Sequence, residues 1–341
     1  MTVIPGPTPE AIEQFNQGLM RFWHPVCLVA DLPLDAPLGV ELLGRALVVV
    51  RLTGGLACFD DLCRHFGAAL SIGEVVDGNL RCRYHGWTYD RSGRVVDIPA
   101  RRDLPIPHEA CVEIHPVEER YGLVWVCLAA EPATEIPVYP EFADAKFHRT
   151  PYRIYKPWNA SATRIVMAAL DDTHFPWVHP GTLGDPARPE PPDHKCSVEK
   201  DHVLTTYSIQ QPANITVGST GWGTGVEMVT YTNRAYQTVI HLHKKAPGGV
   251  FVLYQAMQPI SHNRARIFLQ VARDYDLNPA QDDRYLEFED GIQEQDRPVV
   301  ESQRPWLLPP LSSRLMLYVR PADLPLITYQ KWMEGLGIPQ L

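Results

Sequence analysis

Cys63-Arg64-His65 and Cys82-Arg83-Tyr84-His85, sixteen residues apart, each supply one thiolate and one imidazole from a short segment. Two thiolates hold iron at one end of a [2Fe–2S] cluster, while two neutral imidazoles hold the second iron and raise the potential above that of an all-cysteine cluster. A zinc site more often pairs Cys with Cys and His with His at other spacings, and is the alternative for these four side chains. The remaining cysteines, Cys27, Cys58, Cys111, Cys127 and Cys196, have no His or Cys at ligand spacing.

A second constellation follows in Asp171-Asp172-Thr173-His174-Phe175-Pro176-Trp177-Val178-His179. Two histidines and one carboxylate on one face of Fe(II) leave the opposite face open for O₂ and substrate. His174 and His179 are five apart, which on a regular α-helix separates them by about 140°. Their convergence therefore calls for a widened turn or for a helix ended or kinked at Pro176. Asp171, three residues before His174, is expected on the same helix face. The third ligand has to be a carboxylate distant in sequence.

The elements that position these groups read as a small β domain followed by a mixed one, an α+β chain. Short runs rich in Val, Leu and aromatics (Ala46 to Thr53, Leu80 to Tyr84, Trp87 to Tyr89, Gly122 to Leu128) are separated by turn signals at Gly54-Gly55, Gly78 and Gly93. The Pro-bearing stretch after Ala130 marks the boundary. We expect an N-terminal arm over 1–20, a β domain over 21–135 and a second domain over 136–341. In the second domain Ala160 to Trp177 has helical character, and residues 203–211, 226–243, 250–259 and 265–273 alternate as strands. Pro279 to Ser302 reads as a long amphipathic helix and Leu326 to Leu336 as a terminal one. The Gly218 to Gly225 stretch lacks the following helix that a dinucleotide site requires and reads as a loop between strands.

With both constellations in view, the chain resembles the oxygenase (alpha) component of Rieske non-haem iron oxygenases. The likeness runs from Arg21 (RFWHPVC) through Glu119 to Val126 (ERYGLVWV) to Tyr329 to Gly337 (YQKWMEGLG). It is greatest toward the monooxygenase branch that holds caffeine N-demethylases, saxitoxin-pathway hydroxylases and vanillate O-demethylases. The resemblance implies an all-β Rieske [2Fe–2S] domain and a helix-grip (START-like) catalytic domain with a large antiparallel sheet. It implies that Cys63, His65, Cys82 and His85 bind the cluster and that His174, His179 and Asp296 bind a mononuclear Fe(II). Asp296 opens DRPVVESQ, and Asp290 is the competing acid in the same helix. The resemblance further implies that Asp171 bridges His174 to His85 of a neighbouring protomer, hence a homotrimer with electron transfer between subunits. Three departures stand out: the family's Cys-Pro-His-Arg-Gly is Cys63-Arg64-His65-Phe66-Gly67, Gln295-Asp296 stands where the family commonly carries Glu-Asp, and Ala168 replaces the usual Asn three residues before Asp171.

The activity implied is monooxygenation of a C–H bond in a small organic substrate by O₂, including oxidative N- or O-demethylation. Electrons come from a separate reductase, since the chain has neither a flavin site nor a plant-type ferredoxin cysteine run. An electron carrier without oxygenase activity would need only the first domain. With Glu287 to Gln303 helical, Gln293 and Glu289, three and seven residues before Asp296, fall on its iron-facing side and are the candidate substrate contacts, although an exposed glutamate is the ordinary role for Glu289. Trp222 and Tyr254 are candidate cavity aromatics with core packing as the default.

The 341 residues carry 45% hydrophobic and 21% charged side chains, enough apolar content for two buried cores. A net charge of −9 without a basic run excludes a nucleic-acid surface. No apolar run reaches the length of a membrane span, and the first twenty residues lack a signal-peptide pattern, so a cytoplasmic location is expected.

Overall fold

The structure is a computed structural model in which residues 6–217, 225–313 and 315–338 are described. The chain forms two compact units, Met20–Ile136 and, separately, Pro137–Leu341 together with Met1–Leu19. Helix α1 (Pro9–Leu19) thus clusters with the second unit. Most of the Gly218 to Gly225 stretch, including Trp222, lies outside the described residues.

The first unit is all β, built from two three-stranded sheets and one four-stranded sheet, all antiparallel. Along Arg45–Leu52 the alternate residues Val48, Val50 and Leu52 face the core beside Phe59, Leu70, Leu80 and Tyr89, as a pleated strand requires, while Leu47 and Val49 are buried as well. Strands Glu74–Val76 and Asn79–Arg81 are joined by Asp77-Gly78, both at positive φ (51° and 73°). This two-residue connection matches the twist of the strands it joins. A Cβ at Gly78 would lie 1.9 Å from Thr53 Oγ1, so no other residue fits the turn.

The second unit is built on an eight-stranded antiparallel sheet. Its order runs His148–Arg149, Arg264–Arg273, Gly249–Ser261, Val239–Ala246, Val226–Ala235, Val203–Pro212, Lys195–Val198, with Arg153–Ile154 also pairing to Arg264–Arg273. The expected run 226–243 is two strands, because the chain turns at residues 236–238. Helices α2 (Ala162–Leu170), α3 (Phe175–Val178), α4 (Asp282–Ser302) and α5 (Leu324–Gly335) complete the unit. The α+β expectation, a β domain followed by a domain with a large antiparallel sheet, is borne out.

Two anchors set the helices that matter for the site. Asp282, the first residue of α4, accepts from Arg273 Nη2 at 2.8 Å and faces His148 Nε2 at 2.9 Å. These partners tie the helix start to two adjacent strands, and the Arg273–Asp282 pair is buried. Ser161 caps α2, its hydroxyl accepting from Arg164 N. The buried Arg164 guanidinium in turn donates to Pro305 O at 2.6 Å.

Candidate metal centre

In the first unit, the two cysteine loops close the same way. Gly67 N donates to Cys63 O (2.9 Å) and Gly86 N to Cys82 O (3.0 Å), while Cys63 N donates to Ala68 O and Cys82 N to Trp87 O, both at 2.8 Å. Each loop turns back through a glycine at positive φ, +70° at Gly67 and +74° at Gly86. Both sulfurs are buried, and the imidazoles come together with Nδ1 to Nδ1 at 3.1 Å. His65 stacks on Trp87, centroids 4.6 Å apart at 7°. Arg64 N donates to the Tyr89 oxygen at 3.1 Å, so the Tyr89 proton is free to point at Cys63 Sγ, also 3.1 Å away. Burial, and then the neighbouring Cys63, push the Cys82 thiol above its ordinary range. Two buried sulfurs and two facing Nδ1 atoms are donors that a cationic iron pair satisfies, and metal coordination is what would hold such thiols ionised.

In the second unit, the stretch expected as one helix is two. Helix α2 stops at Asp171, its C-cap residue, and the single turn α3 begins after His174, with Pro176 in its first turn. His174 and His179 are therefore the two caps of a one-turn helix. Pro176 starts this helix where a helix end or kink was expected, and no π-turn is needed. Asp171 and His174 likewise do not share a helix face, contrary to expectation. They meet across the turn, Asp171 Oδ2 lying 3.4 Å from His174 Nδ1, and Thr173 N and Oγ1 donate to Asp171 Oδ1 at 2.9 and 2.6 Å.

Helix α4 brings Asp296 to the same point. His179 Nε2 lies 3.0 Å and His174 Nε2 3.5 Å from Asp296 Oδ1, with 3.3 Å between the two Nε2 atoms. Among the described residues this is the one cluster of three His, Cys, Asp or Glu side chains with metal-ligating proximity. His179 Nδ1 donates to Gln295 Oε1 at 2.6 Å, which leaves its Nε2 lone pair facing inward. Burial alone would lower the pKa of His174, but Asp171 by hydrogen bond and charge carries it above its ordinary value. Burial would raise the pKa of Asp171, and the same contact with His174 brings it below. Two imidazole Nε2 atoms and one carboxylate oxygen within 3.5 Å of one another form a set that fits a divalent cation.

The other predicted residues divide. Asp290 points elsewhere, pairing with Arg153 Nη2 at 2.9 Å and accepting from Tyr155 Oη at 2.8 Å, so it does not join the cluster. Glu289 is not an exposed glutamate. It is 4% exposed and, with Gln293, lines the cavity that His174, His179 and Asp296 border. Tyr254 is core, stacked on Tyr139 at 4.3 Å and donating to Pro137 O, because strand alternation turns its neighbours Leu253 and Gln255 to the cavity instead.

Residues 22–108 match the Rieske [2Fe-2S] domain family, and residues 158–337 match the vanillate O-demethylase oxygenase C-terminal domain family. This chain belongs to the Rieske oxygenases. Such an oxygenase is an oxidoreductase and terminal monooxygenase, and its Rieske domain carries a [2Fe–2S] cluster, so the carrier-only alternative falls away. Methylxanthine N1-demethylase NdmA of Pseudomonas putida is 32% identical over 332 residues, covering 95% of this chain and 91% of that protein. Methylxanthine N3-demethylase NdmB of the same organism is 30% identical, covering 94% and 90%. The structure of NdmA with caffeine superposes with a TM-score of 0.82 at 30% identity over 95% of this chain and 92% of that one. Dicamba monooxygenase shares the fold at 19% identity (TM-score 0.75), covering 94% and 97%.

Three residues of this Rieske oxygenase escaped sequence reasoning: Gln295, Lys244 and Gln255. Gln295 sits beside Asp296 in plain view, but only the packing of α4 against α3 shows its amide on His179. Lys244 and Gln255 are strand residues whose face follows from period-two alternation once a cavity is known to lie on that side. No described helix is long and apolar enough to cross a membrane.

Proposed function

We propose that the protein inserts one atom of O₂ into a C–H bond beside nitrogen or oxygen of a small heterocyclic substrate, with oxidative N-demethylation as the outcome. The convergence of His174, His179 and Asp296 at the wall of a cavity carries this reading. His174, His179 and Asp296 would hold a mononuclear Fe(II), and Cys63, His65, Cys82 and His85 the cluster. Bound there, these groups supply one-electron storage and O₂ activation.

The residues of the chain do the positioning. Asp171 and Gln295 keep both Nδ1 protons outward and both Nε2 atoms inward. The apolar wall of Trp158, Phe175, Tyr231 and Phe288 excludes water and holds the substrate against the open side of the site. A methyl carbon on nitrogen, once hydroxylated, is a hemiaminal and separates into amine and formaldehyde. That the similar proteins NdmA and NdmB are N-demethylases favours this outcome over stable hydroxylation.

Electrons come singly from a separate reductase of the flavin or ferredoxin type, and the likeness of part of the chain to the oxidoreductase NdmD supports a separate donor. The exposed rim of the cluster loops, Leu62, Phe66 and Tyr84, is apolar beside the exposed His85. Such a patch suits docking onto another protein surface. In the proposed assembly it meets Asp171 of a neighbouring protomer in a cytoplasmic homotrimer.

Iron and acid-labile sulfide per chain, measured on anaerobically purified protein, test the two sites together. About three irons and about two sulfides are expected. In His179→Ala or Asp296→Ala the iron falls to about two with the sulfide unchanged. A wild-type protein that stays at two irons after Fe(II) reconstitution removes the oxygenase site as assigned.

A further inference from the structure

The cavity beside the candidate iron ligands contains two buried ionisable groups that no described residue neutralises by contact. Lys244, on strand Val239–Ala246, is 2% exposed. Its Nζ donates to Thr216 Oγ1 and stands 5.6 Å from the Tyr231 ring, and among the described residues it forms no ion pair. Glu289 makes neither a hydrogen bond nor an ion pair among the described residues, and the same holds for the hydrogen bonds of buried Gln255 and Gln293. All four side chains line this one cavity. Buried polar groups are ordinarily hydrogen-bonded, and an unpaired one in a cavity is a group kept for a ligand.

We propose that Lys244 and Glu289 form the recognition end of the cavity and select a neutral heterocycle that presents a carbonyl acceptor beside a ring N–H donor. The inference rests on reading the cavity as the substrate site of the oxygenase. Charge balance decides the substrate class. A carboxylate ligand needs Lys244 protonated and Glu289 held neutral, a cation needs the reverse, and a neutral ligand needs neither. Burial pushes the Lys244 pKa down to about 7 and that of Glu289 up to about 8, and the charge of each opposes the shift in the other. The pair therefore offers a donor and an acceptor with no net charge to spend on a charged ligand. A zwitterion meets both groups, but the aromatic walls penalise stripping water from two full charges. Those walls, with the amides of Gln255 and Gln293, suit a flat ring rich in heteroatoms.

Spacing supports the assignment. Gln293 and Glu289 lie one and two turns before Asp296 on the same face of α4, so Glu289 sits about 10 Å along the helix axis from the ligand carboxylate. A bicyclic ring can reach from the recognition end toward the metal site with a methyl group in front.

Titration calorimetry on the oxidised holoenzyme, which binds without turnover, tests the proposal with four probes. Theobromine has an N–H flanked by two carbonyls, caffeine carries a methyl there, 4-methoxybenzoate is an anion, and glycine betaine is a zwitterion. Theobromine is expected to bind tightest, caffeine about tenfold more weakly through the loss of one hydrogen bond, and the two charged probes more weakly still. Lys244→Met and Glu289→Leu each weaken theobromine about tenfold, and Glu289→Leu abolishes the preference over caffeine. Glu289→Gln, which keeps an acceptor, retains most of the affinity and guards against a folding defect. Equal or tighter binding of caffeine overturns the proposal. So does tighter binding of either charged probe, no binding of any probe at millimolar concentration, or wild-type binding by both variants. Iron content on the same samples separates the two readings. Absent mononuclear iron defeats the oxygenase site whatever binds, whereas iron with the wrong binding order defeats the recognition end alone.

Discussion

The two imidazoles of the candidate iron site differ in what holds them from behind. His174 has a carboxylate, Asp171, at its Nδ1, and His179 has an amide, Gln295. Both fix the ring and its tautomer, but the amide adds no negative charge beside the metal. Outer hydrogen bonds of this kind typically carry a factor of about 10–100 in metal affinity. Gln295→Leu should weaken Fe(II) binding by about that factor, read by chelator competition, with the sulfide content unchanged. Gln295→Glu should retain the iron, since a carboxylate accepts the same proton. Unchanged affinity in Gln295→Leu would mean that the packing around α3 alone orients His179.

At the scale of elements, the candidate site depends on a one-turn helix with a candidate ligand at each cap. Its position is set from outside by a close backbone approach. A Cβ at Gly184 would lie 2.4 Å from Pro176 N and 2.5 Å from Phe175 C, both backbone atoms that cannot step aside alone. Gly184→Ala should therefore push α3 away, costing about 1–3 kcal/mol of stability as an overpacked contact does. A lowered melting temperature and loss of mononuclear iron, with the cluster intact, are the expected readouts. Full iron content in this variant would show that α3 tolerates the shift. On the far side, α4 delivers Asp296, Gln295, Gln293 and Glu289 from one helix, and its first residue is tied to Arg273 and His148.

At the scale of the molecule, the two candidate metal sites lie in separate compact units, and the proposed assembly joins them between protomers. Subunit complementation tests this. One variant, Cys82→Ala, keeps only the mononuclear site, and a second, Asp296→Ala, keeps only the cluster. Each alone should be inactive. Co-expressed in equal amounts in a closed ring, they should recover about a quarter of wild-type turnover, the share of junctions with a cluster protomer facing an iron protomer in the productive order. No recovery in assemblies shown to be mixed would place electron transfer within one chain.

The candidate ligand sets were legible in the sequence because metal chemistry is written in residue type and short spacing. Cys63, His65, Cys82 and His85 come from two tight loops whose glycines are visible beside them, and His174 and His179 are five residues apart. The large antiparallel sheet was legible too, from period-two alternation over long runs. What lay beyond reach depended on packing between distant segments. Asp296 and Asp290 share a helix and differ only in which side of it meets α3, and Glu289 read as a surface acid until the sheet covered it. The break between α2 and α3 followed from capping and from the close approach of Gly184, which no helical period reveals. Lys244 became a candidate site residue only when strand register turned its side chain into the cavity that Glu289 also lines. Local chemistry is encoded within a few residues, whereas the face a side chain presents, and what it meets there, is decided by the tertiary structure.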